Sequence, residues 1–166
     1  MKRDLTRGEF LKRAWKAGAA LIAGAGIWTT TDVLQPLEGS GLGGVIGTVP
    51  PSEVPNKSAI FVRSAQTYLT EIDNEVVALY QRCPHLGCRV AWCDSSGEFE
   101  CACHGSTFNR AGEVRTGPSP RGMDRFAVNV SDEVVEVDTG VVIEGPRSGS
   151  PESLDEPPRG EGCAHA

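Results

Sequence analysis

The chain has 166 residues, a formal net charge of −6 and 39% hydrophobic residues. This length fits one small domain with additional segments and excludes two large cores. Residues 36–166 carry ten Lys or Arg against nineteen Asp or Glu, a balance that argues against nucleic-acid binding.

Residues 1–35 predict a membrane anchor or an export signal. They carry six Lys or Arg, and an uncharged stretch runs from Ala17 to Thr31. A basic flank before an apolar segment is typical of export or anchoring. As a helix, the uncharged stretch would span about 22 Å of the ~30 Å hydrocarbon core. Trp28, near its end, could lie at the outer interface, and the side chain of Lys16 could extend to the inner interface.

Two interpretations of this segment stay open. A retained anchor would be a single transmembrane helix, with its basic flank in the cytoplasm and the rest of the chain outside. A cleaved signal peptide could use Ala23-Gly24-Ala25 as its cleavage site. Residues 6–12 resemble a twin-arginine export signal in which Gly8 replaces the second arginine. We expect the anchor to be retained.

Residues 36–58 predict a hinge and linker, because residues 38–44 contain four Gly and one Ser. From residue 59 to residue 140 the sequence predicts an antiparallel all-β domain with alternating apolar residues. Asp73-Asn74 and Asp94-Ser95-Ser96-Gly97 predict hairpin turns. The predicted strands are Ala59–Arg63, Tyr68–Ile72, Glu75–Gln81, Arg89–Trp92, Glu98–Cys101, Phe126–Val130 and Glu133–Asp138.

Two short motifs in this domain have the spacing of metal ligands. They are Cys83-Pro84-His85-Leu86-Gly87-Cys88 and Cys101-Ala102-Cys103-His104-Gly105-Ser106. A Rieske-type 2Fe–2S centre has two thiolates on one iron and two imidazoles on the other. The predicted ligands are Cys83, His85, Cys101 and His104. Cys88 and Cys103 remain, one in each loop, and a disulfide between them would join the loops.

A structural zinc site is the alternative, since zinc also takes two Cys and two His. Zinc has no use for Cys88 and Cys103 at these positions, and we therefore favour the iron–sulfur interpretation.

With the spacing Cys-x-His-x15-Cys-x2-His and both additional cysteines, residues 59–140 resemble the Rieske iron–sulfur proteins of bacterial quinol–cytochrome c reductases, the cytochrome bc and bf complexes. The resemblance implies an antiparallel β-sandwich with one 2Fe–2S cluster at its tip, preceded by a single transmembrane helix. It implies an electron-transfer subunit that is inactive alone and belongs to a dimeric hetero-oligomeric complex. The partners would be a cytochrome b subunit, a quinol and a c-type cytochrome, with the domain outside the plasma membrane.

The resemblance also implies roles for residues near the cluster. His104 would hydrogen-bond the quinol and accept its proton, with His85 as the second candidate. Ser106 would donate a hydrogen bond to a bridging sulfide. Phe108 stands where many high-potential relatives have a tyrosine donor, so we expect a lower potential and favour menaquinol as substrate.

Two further features belong to this tip. Gly117-Pro118-Ser119-Pro120 resembles the proline loop that covers the cluster in this family, with Gly117, Pro118 and Pro120 as the covering residues. Leu86 would help to form a docking surface.

A second function stays open: the small Rieske subunit of a periplasmic molybdenum oxidoreductase of the arsenite oxidase kind. There the cluster would relay electrons without contacting quinol.

Residues 141–166 are rich in Gly, Pro, Ser and acidic residues, which predicts a disordered tail. We expect Cys93 and Cys163 to be free thiols, with a disulfide between them as the less favoured alternative.

Overall fold

The computed structural model describes residues 6–34 and 42–163. The chain divides into two compact units, residues 1–38 and residues 39–166. We call the second unit the head. The predicted linker between them falls partly on residues 35–41, which lie outside the described residues.

The first unit contains helix α1, Arg7–Leu34. With 28 residues it is about 42 Å long, enough to cross the ~30 Å hydrocarbon core. Among the described residues it is the one helix long and apolar enough to do so. The helix begins before the predicted Ala17, because Thr6 and Glu9 form a capping box: the Glu9 amide donates to Thr6 Oγ1 (3.3 Å) and the Thr6 amide donates to Glu9 Oε2 (3.0 Å).

The described part of the head contains ten strands in two antiparallel sheets. The first sheet has the order β1-β10-β9-β4-β3-β2, and the second has the order β5-β6-β7-β8. The strands are β1 (Val45–Gly47), β2 (Ile60–Val62), β3 (Thr67–Ile72), β4 (Glu75–Tyr80), β5 (Ala91–Cys93), β6 (Glu98–Cys101), β7 (Ser106–Phe108), β8 (Val114–Thr116), β9 (Arg125–Val130) and β10 (Val135–Ile143).

The seven predicted strands are present, and three strands were missed. The missed strands β1, β7 and β8 have three residues each, too few for an alternating pattern to stand out. Strand β1 pairs with β10, so part of the predicted linker of residues 36–58 belongs to the first sheet. At the predicted hairpin turn, Asp73 and Asn74 have φ of 52° and 66°, as a two-residue turn between β3 and β4 requires.

Two apolar clusters form the core of the head. The first contains residues of both sheets, among them Leu79 of β4, Phe99 of β6 and Phe108 of β7, and also includes Cys83 and Cys101. The second cluster lies on the first sheet and includes residues of β3, β4, β9 and β10. The two predicted thiolate ligands are therefore part of the hydrophobic core that joins the sheets.

The prediction of a disordered tail is wrong for its described part. Residues 141–143 continue strand β10, and residues 152–163, here called the strap, lie along the second sheet. Glu156 pairs with Arg110, and Ser153 donates a hydrogen bond to Glu113 (2.6 Å). The acidic and hydroxyl side chains that suggested disorder are the groups that bind the strap to the domain.

The expectation of free thiols at Cys93 and Cys163 is also wrong. The two residues form a disulfide with a Cα–Cα distance of 5.7 Å. The sequence separation of 70 residues concealed this contact, which depends on the path of the strap.

Candidate metal centre

The two ligand loops share one local turn. In each, a glycine amide donates to the carbonyl of the cysteine four residues earlier: Gly87 to Cys83 (2.8 Å) and Gly105 to Cys101 (3.0 Å). Both glycines have positive φ, 78° and 72°, a region that favours glycine. The pattern Cys-x3-Gly therefore gives the same turn twice, and the histidine lies inside each turn.

Cys83 and Cys101 are buried, each 2% exposed, and neither forms a disulfide. Burial raises the pKa of the Cys83 thiol, and the backbone amides of His85 and Leu86 oppose this effect. A thiolate at this site needs a compensating positive charge, and a metal ion provides that charge.

The two histidines lie nearer to solvent than the thiols. His85 is half-buried and His104 is exposed. Their ring centroids are 4.9 Å apart and their planes are nearly perpendicular, at 89°. Two inner sulfurs and two outer imidazoles match the ligand sets of the two irons in a Rieske centre.

A disulfide joins the two loops, as the leftover cysteines predicted. It links Cys88 to Cys103 across a Cα–Cα distance of 6.6 Å. The Cys83 amide donates to the Cys88 carbonyl (2.8 Å), so the first loop is also closed by a backbone hydrogen bond. The two loops that carry the predicted ligands are therefore linked to each other covalently.

Ser106 and Phe108 follow the second loop on strand β7. Both are 0% exposed. Ser106 Oγ has no hydrogen-bond partner among the described residues, which is costly for a buried hydroxyl and leaves it able to donate to a bound group. Phe108 pairs with Phe99 across the strands and lies in the apolar core, with no hydroxyl to offer.

The predicted proline loop lies directly against the second ligand loop. A Cβ atom on Gly117 would meet Ser106 Cα at 2.5 Å and Gly105 O at 2.7 Å. Pro118 and Pro120 are exposed. Leu86, in the first ligand loop, is 70% exposed. The structure thus brings the Gly117 loop against Gly105 and Ser106 and leaves the apolar side chain of Leu86 exposed.

Sequence reasoning missed the contribution of the strap. Arg110 is 4% exposed, and its guanidinium donates to Glu156 through Nε (3.0 Å) and Nη2 (2.6 Å). One signal was available: with two cysteines as ligands, the other four can form two disulfides. The sequence analysis nevertheless favoured free thiols at Cys93 and Cys163 and kept a disulfide between them as the less favoured alternative.

Residues 47–130 match the profile of the Rieske [2Fe-2S] domain, which covers 84 of the 166 residues. The chain belongs to the Rieske iron–sulfur family. The buried free thiols, the adjacent imidazoles and the unpartnered Ser106 hydroxyl fit the group that defines this family. This Rieske protein therefore has one 2Fe–2S cluster as its cofactor.

Relatives of this Rieske protein occur in cyanobacteria. It is 30% identical over 149 residues to the cytochrome b6-f complex iron-sulfur subunit 3 of Nostoc sp., covering 80% of this chain and 84% of that protein. It is 39% identical over 72 residues to the cytochrome b6-f complex iron-sulfur subunit of Synechococcus elongatus. That match covers 42% of this chain, and the chain spans 40% of the length of that relative.

Among solved structures, the Rieske protein is similar to the plasma membrane Rieske protein PetC3 of Synechocystis PCC 6803. The sequence identity is 31% and the TM-score is 0.40. The match covers 43% of this chain and 75% of that chain.

Proposed function

We propose that this Rieske protein is the electron-transfer subunit of a membrane cytochrome bc- or b6f-type complex that oxidises quinol and reduces a c-type cytochrome. The observation that carries the proposal is the pairing of two buried free thiols with two imidazoles nearer to solvent. The names of the Synechococcus elongatus and Nostoc relatives, cytochrome b6-f complex iron-sulfur subunits, support this type of complex.

Four residues are the proposed cluster ligands. Cys83 and Cys101 would hold one iron, and His85 and His104 would hold the other, nearer to solvent. When bound, a Rieske cluster supplies a one-electron acceptor with a potential of about −150 to +300 mV. The buried, unpartnered hydroxyl of Ser106 would be able to donate a hydrogen bond to the bound cluster and so stabilise its reduced form.

His104 is the proposed contact for the quinol hydroxyl. Its ring is exposed, whereas the ring of His85 is half-buried, which makes His85 the second candidate. A ring nitrogen of His104 that binds no metal can accept a hydrogen bond and then the proton of the quinol. Proton acceptance at this nitrogen accompanies electron loss from the quinol, so that no charged quinol species of high energy has to form.

Phe108 supports menaquinol as the substrate. The residue is fully buried and offers no hydroxyl to a ligand sulfur. Hydrogen bonds to the sulfurs raise the potential of such centres, and a missing donor lowers it. A lower potential matches a quinol that is a stronger reductant than ubiquinol.

The exposed tip is the proposed docking surface for the cytochrome b subunit. Leu86 offers an exposed apolar side chain, and the loop of residues 117–120 offers a stiff cover because proline restricts φ and removes a donor. The complex is proposed to be dimeric and to pass electrons to a c-type cytochrome.

The protein is proposed to be a single-pass protein of a bacterial plasma membrane, with α1 as a retained anchor and the head outside. The length of α1 and the names of the relatives support a single-pass membrane protein. Lys12, Arg13 and Lys16 near the start of α1 favour a cytoplasmic N-terminus. Two disulfides in the head favour an oxidising compartment.

Purification from native membranes tests this function. Reduced protein should show the rhombic spin-half resonance of a His-ligated 2Fe–2S cluster and should co-purify with a cytochrome b subunit. The His104→Cys variant should lose quinol-dependent reduction of cytochrome c, while Asn129→Ala, on β9 in the first sheet, should keep it. Co-purification with a molybdenum subunit and no cytochrome b would support the arsenite-oxidase-like alternative instead.

A further inference from the structure

The strap is held on the second sheet by contacts along its length. The Cys93–Cys163 disulfide holds its end. Ser95 Oγ donates to the Glu161 carbonyl (2.8 Å), and the Arg159 amide donates to the Ser96 carbonyl (2.8 Å). These contacts attach the end of the strap to the turn between β5 and β6.

A second group of contacts holds the beginning of the strap. Arg115 pairs with Glu152, and Arg110 pairs with Glu156. The side chain of Glu113 accepts hydrogen bonds from the Ser153 amide (2.9 Å) and hydroxyl (2.6 Å). Residues 110–115 lie between β7 and β8 or at the start of β8, so the strap crosses the sheet that carries the second ligand loop.

Between the strap and this sheet lies a cavity of about 220 Å³. Its inner wall includes Cys101 and Ser106, and its outer wall includes strap residues Pro158, Gly160 and Gly162. The strap packs closely against the sheet at Gly162, since a Cβ on this residue would lie 3.0 Å from a Glu100 carboxylate oxygen. The strap therefore forms one wall of a pocket that reaches Cys101, one of the proposed thiolate ligands.

We infer that the strap, held in place by the Cys93–Cys163 disulfide, lowers the reduction potential of the cluster because it limits the access of water to the cluster near Cys101. The inference rests on the ligand assignment proposed above. Cys163 is a positioning residue in this role, because it acts through the strap and touches no ligand.

Two effects of releasing the strap act in the same direction. The pocket would lose this wall and become more exposed to bulk water, which stabilises the more negative reduced cluster and can hydrogen-bond its sulfurs. The strap also carries four carboxylates, Glu152, Asp155, Glu156 and Glu161, against Arg159 as its one Lys or Arg. Moving net negative charge away from the cluster favours its reduction.

The test compares the full-length protein with its Cys93→Ser/Cys163→Ser variant, both loaded with iron and sulfide and reduced in a redox titration. We expect the variant to have a higher midpoint potential. Trypsin cleavage after Arg159 reports release of the strap independently of the cluster, and it should be faster in the variant. Faster cleavage with an unchanged or lower potential overturns the inference, as does cleavage no faster than in the wild type.

A second variant covers the case in which the double Ser variant takes up no cluster. Glu152→Gln/Glu156→Gln keeps both disulfides and weakens the other end of the strap, so its potential should also rise. Asp132→Asn/Glu133→Gln removes two exposed carboxylates from the β9–β10 turn and should leave the potential unchanged. Equal potentials in these two variants overturn the inference. Wild-type protein that binds no iron would instead count against the ligand assignment.

Discussion

Gly117 lies against Ser106 so closely that a Cβ on Gly117 would be 2.5 Å from Ser106 Cα. Gly117 also has a φ of 89°, a backbone conformation that residues other than glycine rarely adopt. Close approach and backbone conformation thus both require glycine where the proline loop meets the second ligand loop. The proximity of this loop to the proposed cluster site depends on the absence of one methyl group.

The Gly117→Ala variant should therefore lose cluster binding. The positive φ alone costs about 1–2 kcal/mol, and the clash with the Ser106 backbone adds to this. Iron and acid-labile sulfide per chain should fall to a small fraction of the wild-type content. Gly149→Ala is the matched control, since Gly149 has a φ of 79° but a Cβ added there would have no neighbouring atom within 4 Å. Equal iron content in both variants would remove the close approach from the explanation.

The Phe108→Tyr variant should raise the midpoint potential. Phe108 is fully buried, and a hydroxyl at its ring edge needs a partner, which a ligand sulfur can provide. The expected measurement is an upward shift in a redox titration of the loaded protein. Phe126→Tyr adds the same hydroxyl in the second apolar cluster and should leave the potential unchanged. A fall for Phe108→Tyr would contradict the argument from the missing donor and with it the preference for menaquinol.

The Arg110→Met variant should destabilise the head by about 2–4 kcal/mol, since it removes a buried guanidinium with its charge-assisted hydrogen bonds and leaves the acceptors Thr70 and Glu71 without this donor. Arg110 is 4% exposed and also donates to Thr70 Oγ1 (3.0 Å). Its partner Glu156 is 41% exposed and can be solvated, which limits the loss. Thermal unfolding measures the effect. Arg147→Met, at an exposed site, should change the unfolding temperature little, and equal losses would show that Arg110 has no special role.

The stability of the head should fall as the pH drops below about 4.5, the unperturbed value of its carboxyl groups. Burial alone would raise the pKa of Glu113, but the hydrogen bonds from Ser153 and Asn109 outweigh it and lower the pKa. The hydrogen bond from Arg110 lowers the pKa of Glu156. A lowered pKa in the folded state stabilises the protein above the unfolded value, and protonation removes this contribution.

The Glu113→Gln variant isolates one of these groups. Its unfolding temperature should lie below that of the wild type at pH 7, and the difference should shrink as the pH falls toward 3. Glu98 has the opposite effect on the pH dependence of stability, because burial raises the pKa of its carboxyl group. Any stability that protonated Glu98 contributes is lost as the pH rises. If the difference in unfolding temperature between the wild type and Glu113→Gln stayed constant with pH, the pH dependence of stability could not be attributed to Glu113.

Local patterns in the chain were enough to predict much of the fold. The strands with alternating apolar residues and the Asp73-Asn74 turn were correct, because a period of two and a two-residue turn depend on neighbours in sequence. The short strands β1, β7 and β8 were missed, because three residues carry too little pattern. For β1 the hydrogen-bond partner is the distant strand β10, and only the sheet reveals that pairing.

The ligand motifs could be read from residues 83–106, because each Cys-x3-Gly segment closes its own turn and carries its histidine with it. Tertiary structure was needed for everything that depends on contacts between distant residues. It buries Cys83 and Cys101 between two sheets, brings Gly117 onto Ser106, and pairs Cys93 with Cys163 across 70 residues. The polar, proline-rich tail is stabilised by distant residues that it meets on the folded sheet, among them Arg110, Glu113 and Cys93, and its composition alone therefore suggested disorder.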